Sequence, residues 1–207
     1  SECINFIEEL NLRFNDRRHE LLNYRIEIQR KIDNGFMPNF LDETKKIRED
    51  NWTVSSIPKD LLDRRVEITG PPSKKMIVNA LNSGANTFMA DFEDSLSPTW
   101  KNIIEGQFYL KKANYNSIDF KNLDTGKEYK LNKKTAVLIV RPRGLHLEEK
   151  HFTLYGKRTS ASLFDFGVYF FHNFKKLLSK GSAPYYYIPK LENHYEARFW
   201  NEVFNFT

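Results

Sequence analysis

Apolar residues recur at helical spacing over residues 4–33, with Ile4, Ile7 and Leu10 on one face and Leu21, Leu22, the Arg25 stem, Ile28 and Ile32 continuing a stripe. Asn34-Gly35 supplies a stop, because glycine takes a left-handed cap without strain. The stretch to Pro58 is poorly patterned, and Trp52 and Ile57 are expected to pin it to the rest. From residue 64 the texture changes to short β-rich runs separated by helical ones. Arg65–Thr69 reads as a strand ended by Gly70-Pro71-Pro72, and Lys74–Ser83 as a helix with Met76, Ile77, Ala80 and Leu81 inward. Thr87–Phe92 follows as a buried strand and Pro98–Leu110 as a helix with Pro98 near its start. Ser117–Phe120 and Lys127–Leu131 alternate in polarity around Asp124-Thr125-Gly126, which predicts a hairpin. Ala136–Val140 is a continuous apolar run of the kind covered on both faces. Leu163–Leu178 predicts an aromatic-rich helix, Tyr185–Pro189 a short strand and His194–Phe204 a last helix.

Residues 64–207 therefore read as strand then helix, four times over, which argues for parallel strands joined by helical crossovers. A doubly wound sheet and the first half of a (β/α)8 TIM barrel both satisfy the pattern. Charged residues crowd the C-terminal ends of the strands: Asp91, Glu93 and Asp94, then Arg141 and Arg143, then Lys190 and Glu192. Both architectures place ligands there. No glycine fingerprint for a dinucleotide or a P-loop is present.

Charge and composition narrow the field further. The net charge is +5 with a pI near 9.1, but the basic residues are scattered or paired and interleaved with acidic ones. That mixture argues against a nucleic-acid surface and suits an anionic small substrate. No apolar run approaches the ~18 residues of a membrane span, and no secretory leader is visible. The chain begins at Ser1 without an initiator Met, so a fragment or processed product is expected. Cys3, the single cysteine, excludes a disulfide within the chain and points to a reducing compartment. Its place near an end expected to be mobile argues against a nucleophile.

Asp91-Phe92-Glu93-Asp94-Ser95 sets three carboxylates within four residues at a strand end. Such a cluster needs a cation or hydrogen-bond donors to coexist. A divalent metal with its water shell is one reading, and a helix N-cap by Asp94 or Ser95 is the other. Arg141 and Arg143, after the most buried strand, can grip a carboxylate or stabilise an oxyanion, or form an ion pair across the rim. His146, His151, His172 and His194 match no zinc spacing, and His172 reads as a core or helix-surface histidine. Phe164, Phe166, Tyr169, Phe170, Phe171 and Phe174 read as helix-to-sheet packing.

Several stretches resemble the A-type malate synthases: Asp63–Pro71 (DRRVEITGP), Phe88–Ser95 (FMADFEDS), Val140–Leu147 (VRPRGLHL), Gly156 through Asn173, and Tyr185–Leu191 (YYYIPKL). The resemblance runs through nearly the whole chain in order. It implies a helical clasp over residues 1–63 and the first four β/α units of a TIM barrel over 64–207, with a hairpin excursion near 115–133. It also implies condensation of acetyl-CoA with glyoxylate, Mg2+ as cofactor, and Arg141 as the residue stabilising the enolate. Glu93 and Asp94 match carboxylates near the metal, acting through its waters, and Ser95 falls near the acetyl-CoA entrance. Members of the family are more than twice this length, and the metal ligands and the base are expected after Thr207, so the segment alone is expected to be inactive. The resemblance places the protein in a bacterial cytoplasm or a peroxisome-like organelle. A citrate lyase β-subunit-like acyl-CoA lyase, or a non-catalytic interaction module, would be the alternatives.

Overall fold

Glu2–Asp33 form the first helix, α1, in the computed structural model, which describes residues 1–121, 126 and 128–207. Its buried stripe is narrower than the periodicity predicts. Ile7, Leu10, Phe14 and Leu21 are buried, whereas Ile4 and Ile32 are exposed. Arg18 completes the stripe and is fully buried, donating from Nη1 to the Leu145 carbonyl at 2.6 Å and from Nε to Asn15 Oδ1 at 2.7 Å. A buried guanidinium is tolerated only because its donors are met. Cys3, expected at a loose end, lies on α1 and packs against the core; burial pushes its thiol above the ordinary range, which suits no nucleophile.

The stretch after α1 contains the short helix α2 (Lys45–Glu49). The expectation that Trp52 and Ile57 anchor it fails. Both are exposed, and the Trp52 indole N–H is met locally by the Ile47 carbonyl at 2.7 Å. Asp60 supplies the tie to the sheet instead, accepting hydrogen bonds from Ser182 and Tyr185, each at 2.6 Å.

The remainder alternates as the sequence predicts: β1 (Glu67–Gly70), α3 (Lys74–Leu81), β2 (Thr87–Asp91) and α4 (Trp100–Asn114). The excursion follows, as β3 (Asp119–Lys121) and β4 (Glu128–Lys130), which pair antiparallel with Phe120 stacked on Tyr129. Asp124 and Thr125 of its expected turn lie outside the described residues. Then come β5 (Val137–Arg141), β6 (Glu148–Leu154), β7 (Lys157–Ser160), α5 (Ala161–Ser179), β8 (Tyr185–Tyr186) and α6 (His194–Phe206). The antiparallel β6–β7 hairpin is an addition to the predicted elements. Tyr155 and Gly156 turn it, both at positive φ (50° and 75°), a pairing that a type I′ two-residue hairpin turn demands.

Four strands form one parallel sheet in the order β1-β2-β5-β8. The architecture is α/β, with a partial TIM barrel preceded by a long helix. Alternation puts Phe88, Ala90, Leu138, Val140 and Tyr186 on the face covered by helices, and Met89, Asp91, Ile139, Arg141 and Tyr185 on the other. Phe88, Ala90 and Val140 are completely buried.

The aromatic helix α5 is not devoted to the sheet alone. Phe166 and Tyr169 meet Tyr186, at 4.9 and 5.7 Å between centroids, but Phe170 and Phe171 pack on Phe6 of α1 and Phe164 on Trp100 and Phe152. α1 packs tightly on α5 at Gly167, where a Cβ would come within 2.5 Å of Ile7 Cδ1 and 2.7 Å of Leu10 Cδ1. Gly167→Ala is therefore expected to force the helices apart. It should lower stability by ~1–3 kcal/mol, a denaturation-midpoint measurement on the purified chain, despite the better helix propensity of alanine. An unchanged midpoint would mean that the Ile7 and Leu10 side chains give way freely.

Candidate active site

The register of the sheet brings the two sequence motifs together. Asp91, the last residue of β2, pairs with Arg141, the last residue of β5. A further parallel bond, Phe92 N–H to the Arg141 carbonyl at 3.0 Å, carries the chain outward past the sheet. Asp91 then folds the acidic loop on itself. Its Oδ1 accepts from the N–H groups of Glu93 (2.9 Å) and Asp94 (3.2 Å), and its Oδ2 from the Ser95 hydroxyl (2.8 Å). With its oxygens so engaged and 1% exposed, Asp91 is a shaping residue and not an open ligand.

The turn presents Glu93 and Asp94 to the Arg141 guanidinium. Nη2 donates to Glu93 Oε2 at 2.9 Å and to Asp94 Oδ2 at 2.6 Å, while Nε donates to Glu93 Oε2 at 3.2 Å. Nη1 has no hydrogen-bond partner among the described residues, and the side chain is 15% exposed. Burial would depress the Arg141 pKa, but Asp91, Glu93 and Asp94 outweigh it and hold it above the ordinary value. Gly144 closes the site from the following loop. Its N–H donates to Glu93 Oε1 at 3.2 Å, and a Cβ there would lie 2.6 Å from that oxygen.

Lys190 approaches from beyond β8, with Nζ 2.7 Å from Asp94 Oδ1 and 3.0 Å from Glu93 Oε1. Its hydrogen bond, followed by the Arg141 charge, holds the exposed Asp94 carboxyl below the usual range. Two cations thus share three carboxylates at the ends of three neighbouring parallel strands. The helix-capping alternative for Asp94 and Ser95 is excluded: Thr99 caps α4, its Oγ1 accepting from Asn102 N–H at 3.2 Å.

Two family descriptions match this chain: "Malate synthase, N-terminal domain" over residues 1–46 and "Malate synthase, TIM barrel domain" over residues 137–207. Full-chain comparisons agree. The malate synthase of Myxococcus xanthus is 52% identical over 204 residues, covering 99% of this chain. The malate synthase A of Escherichia coli is 50% identical over 207 residues, covering 100%. The chain belongs to the malate synthase family. It spans 38% of the Myxococcus protein's length and 39% of the Escherichia coli protein's. The bifunctional glyoxylate cycle protein of Caenorhabditis elegans is 52% identical over 208 residues, and 22% of its length is covered.

Within this malate synthase segment, Arg141 stands together with Glu93 and Asp94, and Ser95 lies exposed beside them with its hydroxyl turned to Asp91. Among the described residues no group of three His, Cys, Asp or Glu side chains could hold a metal ion. Glu93 and Asp94 offer hard oxygens, but each is already paired with a cation, so direct ligation by this set does not fit. His172 is half-buried on α5, its pKa lowered by burial and by Lys111.

Arg143 does not join Arg141. It turns to a buried network, donating to Asp165 from Nε and Nη2 (both 2.8 Å) and to Glu149 from Nη1 (2.9 Å). Its own backbone N–H also donates to Asp165, at 3.0 Å. Glu149 in turn accepts from His151 N–H at 2.8 Å, with His151 Nδ1 2.7 Å away. Sequence reasoning missed Glu149, Asp165 and the Lys190 contact. Lys190 carried one signal, its position after the fourth strand; the two buried carboxylates carried none.

Among the described residues no helix is long and apolar enough to cross a membrane.

Proposed function

We propose that the protein containing this chain condenses acetyl-CoA with glyoxylate and water to give malate and CoA, and that Arg141 stabilises the enolate. The supporting observation is a guanidinium fixed on two sides by Glu93 and Asp94, with Nη1 left for a third oxygen. A base removes a methyl proton from acetyl-CoA, and the electron pair moves onto the thioester oxygen. Arg141, charged at any working pH, donates to that oxygen as it becomes negative. The enolate carbon then bonds to the aldehyde carbon of glyoxylate, whose C=O π pair moves to its oxygen and takes up a proton, and water cleaves the thioester, releasing CoA. A divalent cation held by residues outside this set would polarise the aldehyde. In this reading Glu93 and Asp94 reach the cation through its waters, and Ser95 borders the acetyl-CoA path. The division at residue 63 into clasp and barrel, and the excursion near 115–133, belong to the same proposal.

The test is a chimera in which this chain replaces the 204 matching residues of the Myxococcus xanthus protein. It should form malate from acetyl-CoA and glyoxylate, while the isolated 207-residue chain should give no turnover. A folded but inactive chimera would overturn the assignment, and robust turnover by the isolated chain would overturn the division of labour.

A further inference from the structure

Lys190 holds a backbone conformation that non-glycine residues rarely adopt, with φ +53°. Strain of this kind persists only when the surroundings enforce it. Here the enforcing contact comes from a distant part of the chain. Arg25 of α1 donates from Nη2 to the Lys190 carbonyl at 3.0 Å. The same guanidinium grips the buried Glu196 at the start of α6, from Nε at 2.6 Å and Nη2 at 2.9 Å, and Nη1 reaches Glu192 at 3.0 Å. Arg25 thereby fixes the loop between β8 and α6 by its backbone, and the loop aims the Lys190 ammonium at Glu93 and Asp94.

The charge arithmetic gives that aim a purpose. Asp91, Glu93 and Asp94 carry three negative charges, against one positive charge each on Arg141 and Lys190. Without Lys190, Arg141 alone would face all three carboxylates, and its capacity to receive a developing anion at Nη1 would be spent on them. We infer that Lys190 is a positioning residue for the condensation: it takes up part of the Glu93 and Asp94 charge so that Arg141 stays available to the enolate, and Arg25 of the N-terminal helix holds it there. The inference rests on the functional reading above.

The chimera described above carries the test. Lys190→Asn removes the ammonium but keeps a residue that accepts the left-handed backbone, so folding is retained. Its kcat should fall on the order of 10- to 100-fold, with the KM for acetyl-CoA changed by no more than about 3-fold, because the ground-state contacts survive. Lys190→Arg, which keeps the charge, should restore most of the loss. Arg25→Lys keeps a cation near Glu196 but cannot serve carboxylate and carbonyl together. It should lower kcat in the parent and add little in the Lys190→Asn background, since both changes act through one group. Thermal midpoints of all variants are read alongside. An unchanged kcat in Lys190→Asn, a loss that Lys190→Arg does not recover, or additive losses with Arg25→Lys would each overturn the inference. An inactive unsubstituted chimera would instead overturn the reading on which it rests.

Discussion

Arg141→Gln in the chimera with the Myxococcus xanthus malate synthase should lower kcat by on the order of 10²- to 10³-fold, equivalent to ~3–4 kcal/mol of transition-state stabilisation. The side chain is itself a partner of Glu93 and Asp94, so glutamine leaves two carboxylates short of a cation and one oxyanion without a donor. Acetyl-CoA binding, measured by calorimetry, should change far less, since the ground-state thioester oxygen carries little charge. Arg141→Lys should rescue only weakly. A single ammonium cannot serve Glu93, Asp94 and a third oxygen in the forked geometry of the guanidinium. A kcat within 3-fold of the parent would remove Arg141 from the chemistry.

The second large effect concerns stability. Asp165→Ala should destabilise the chain by ~3–5 kcal/mol, because it strands the Arg143 charge in a buried site. Asp165 is completely buried, and desolvation pushes its carboxyl pKa up; Arg143 opposes that shift. The pair is not a surface ion pair of small value. It joins the loop after β5 to the second turn of α5, and Glu149 extends it to β6. Urea denaturation of the purified chain measures the loss. Replacing both partners, Arg143→Met with Asp165→Leu, should recover much of it, since no charge is left stranded. A loss below about 1 kcal/mol for Asp165→Ala would show that water reaches the network and screens it.

The parallel sheet was legible in the sequence for a physical reason. Strands covered on both faces must be continuously apolar, and Thr87–Asp91 and Val137–Arg141 carry that signature, broken by charge only where they leave the sheet. The same break located Asp91, Glu93, Asp94 and Arg141. The β6–β7 hairpin was not legible because its strands reverse the usual logic. Among Glu148–Leu154 the buried residue is Glu149, a charge, and the apolar Phe152 and Leu154 are only half-buried. No periodicity of hydrophobic residues marks such a ribbon. Arg143 was equally opaque: two arginines one residue apart emerge from the same strand and go to different partners, Arg141 to the acidic loop and Arg143 to Asp165. Alternation predicts that residues 141 and 143 share a direction, and Pro142 and the exit from the sheet undo it.

The partners of α1 lie far along the chain. Arg18 waits for Leu145, 127 positions later, Asn11 for the N–H of Ser160, 149 later, and Arg25 for Lys190 and Glu196, 165 and 171 later. During synthesis this helix leaves the ribosome before these partners and has no surface to rest on until most of the segment has followed. Its apolar stripe is then a target for chaperones or for neighbouring nascent chains, and the acquisition of native structure is slowed by the loop that must close. Emergence of the chain as far as Glu196, not emergence of α1 itself, sets the moment at which α1 can seat fully.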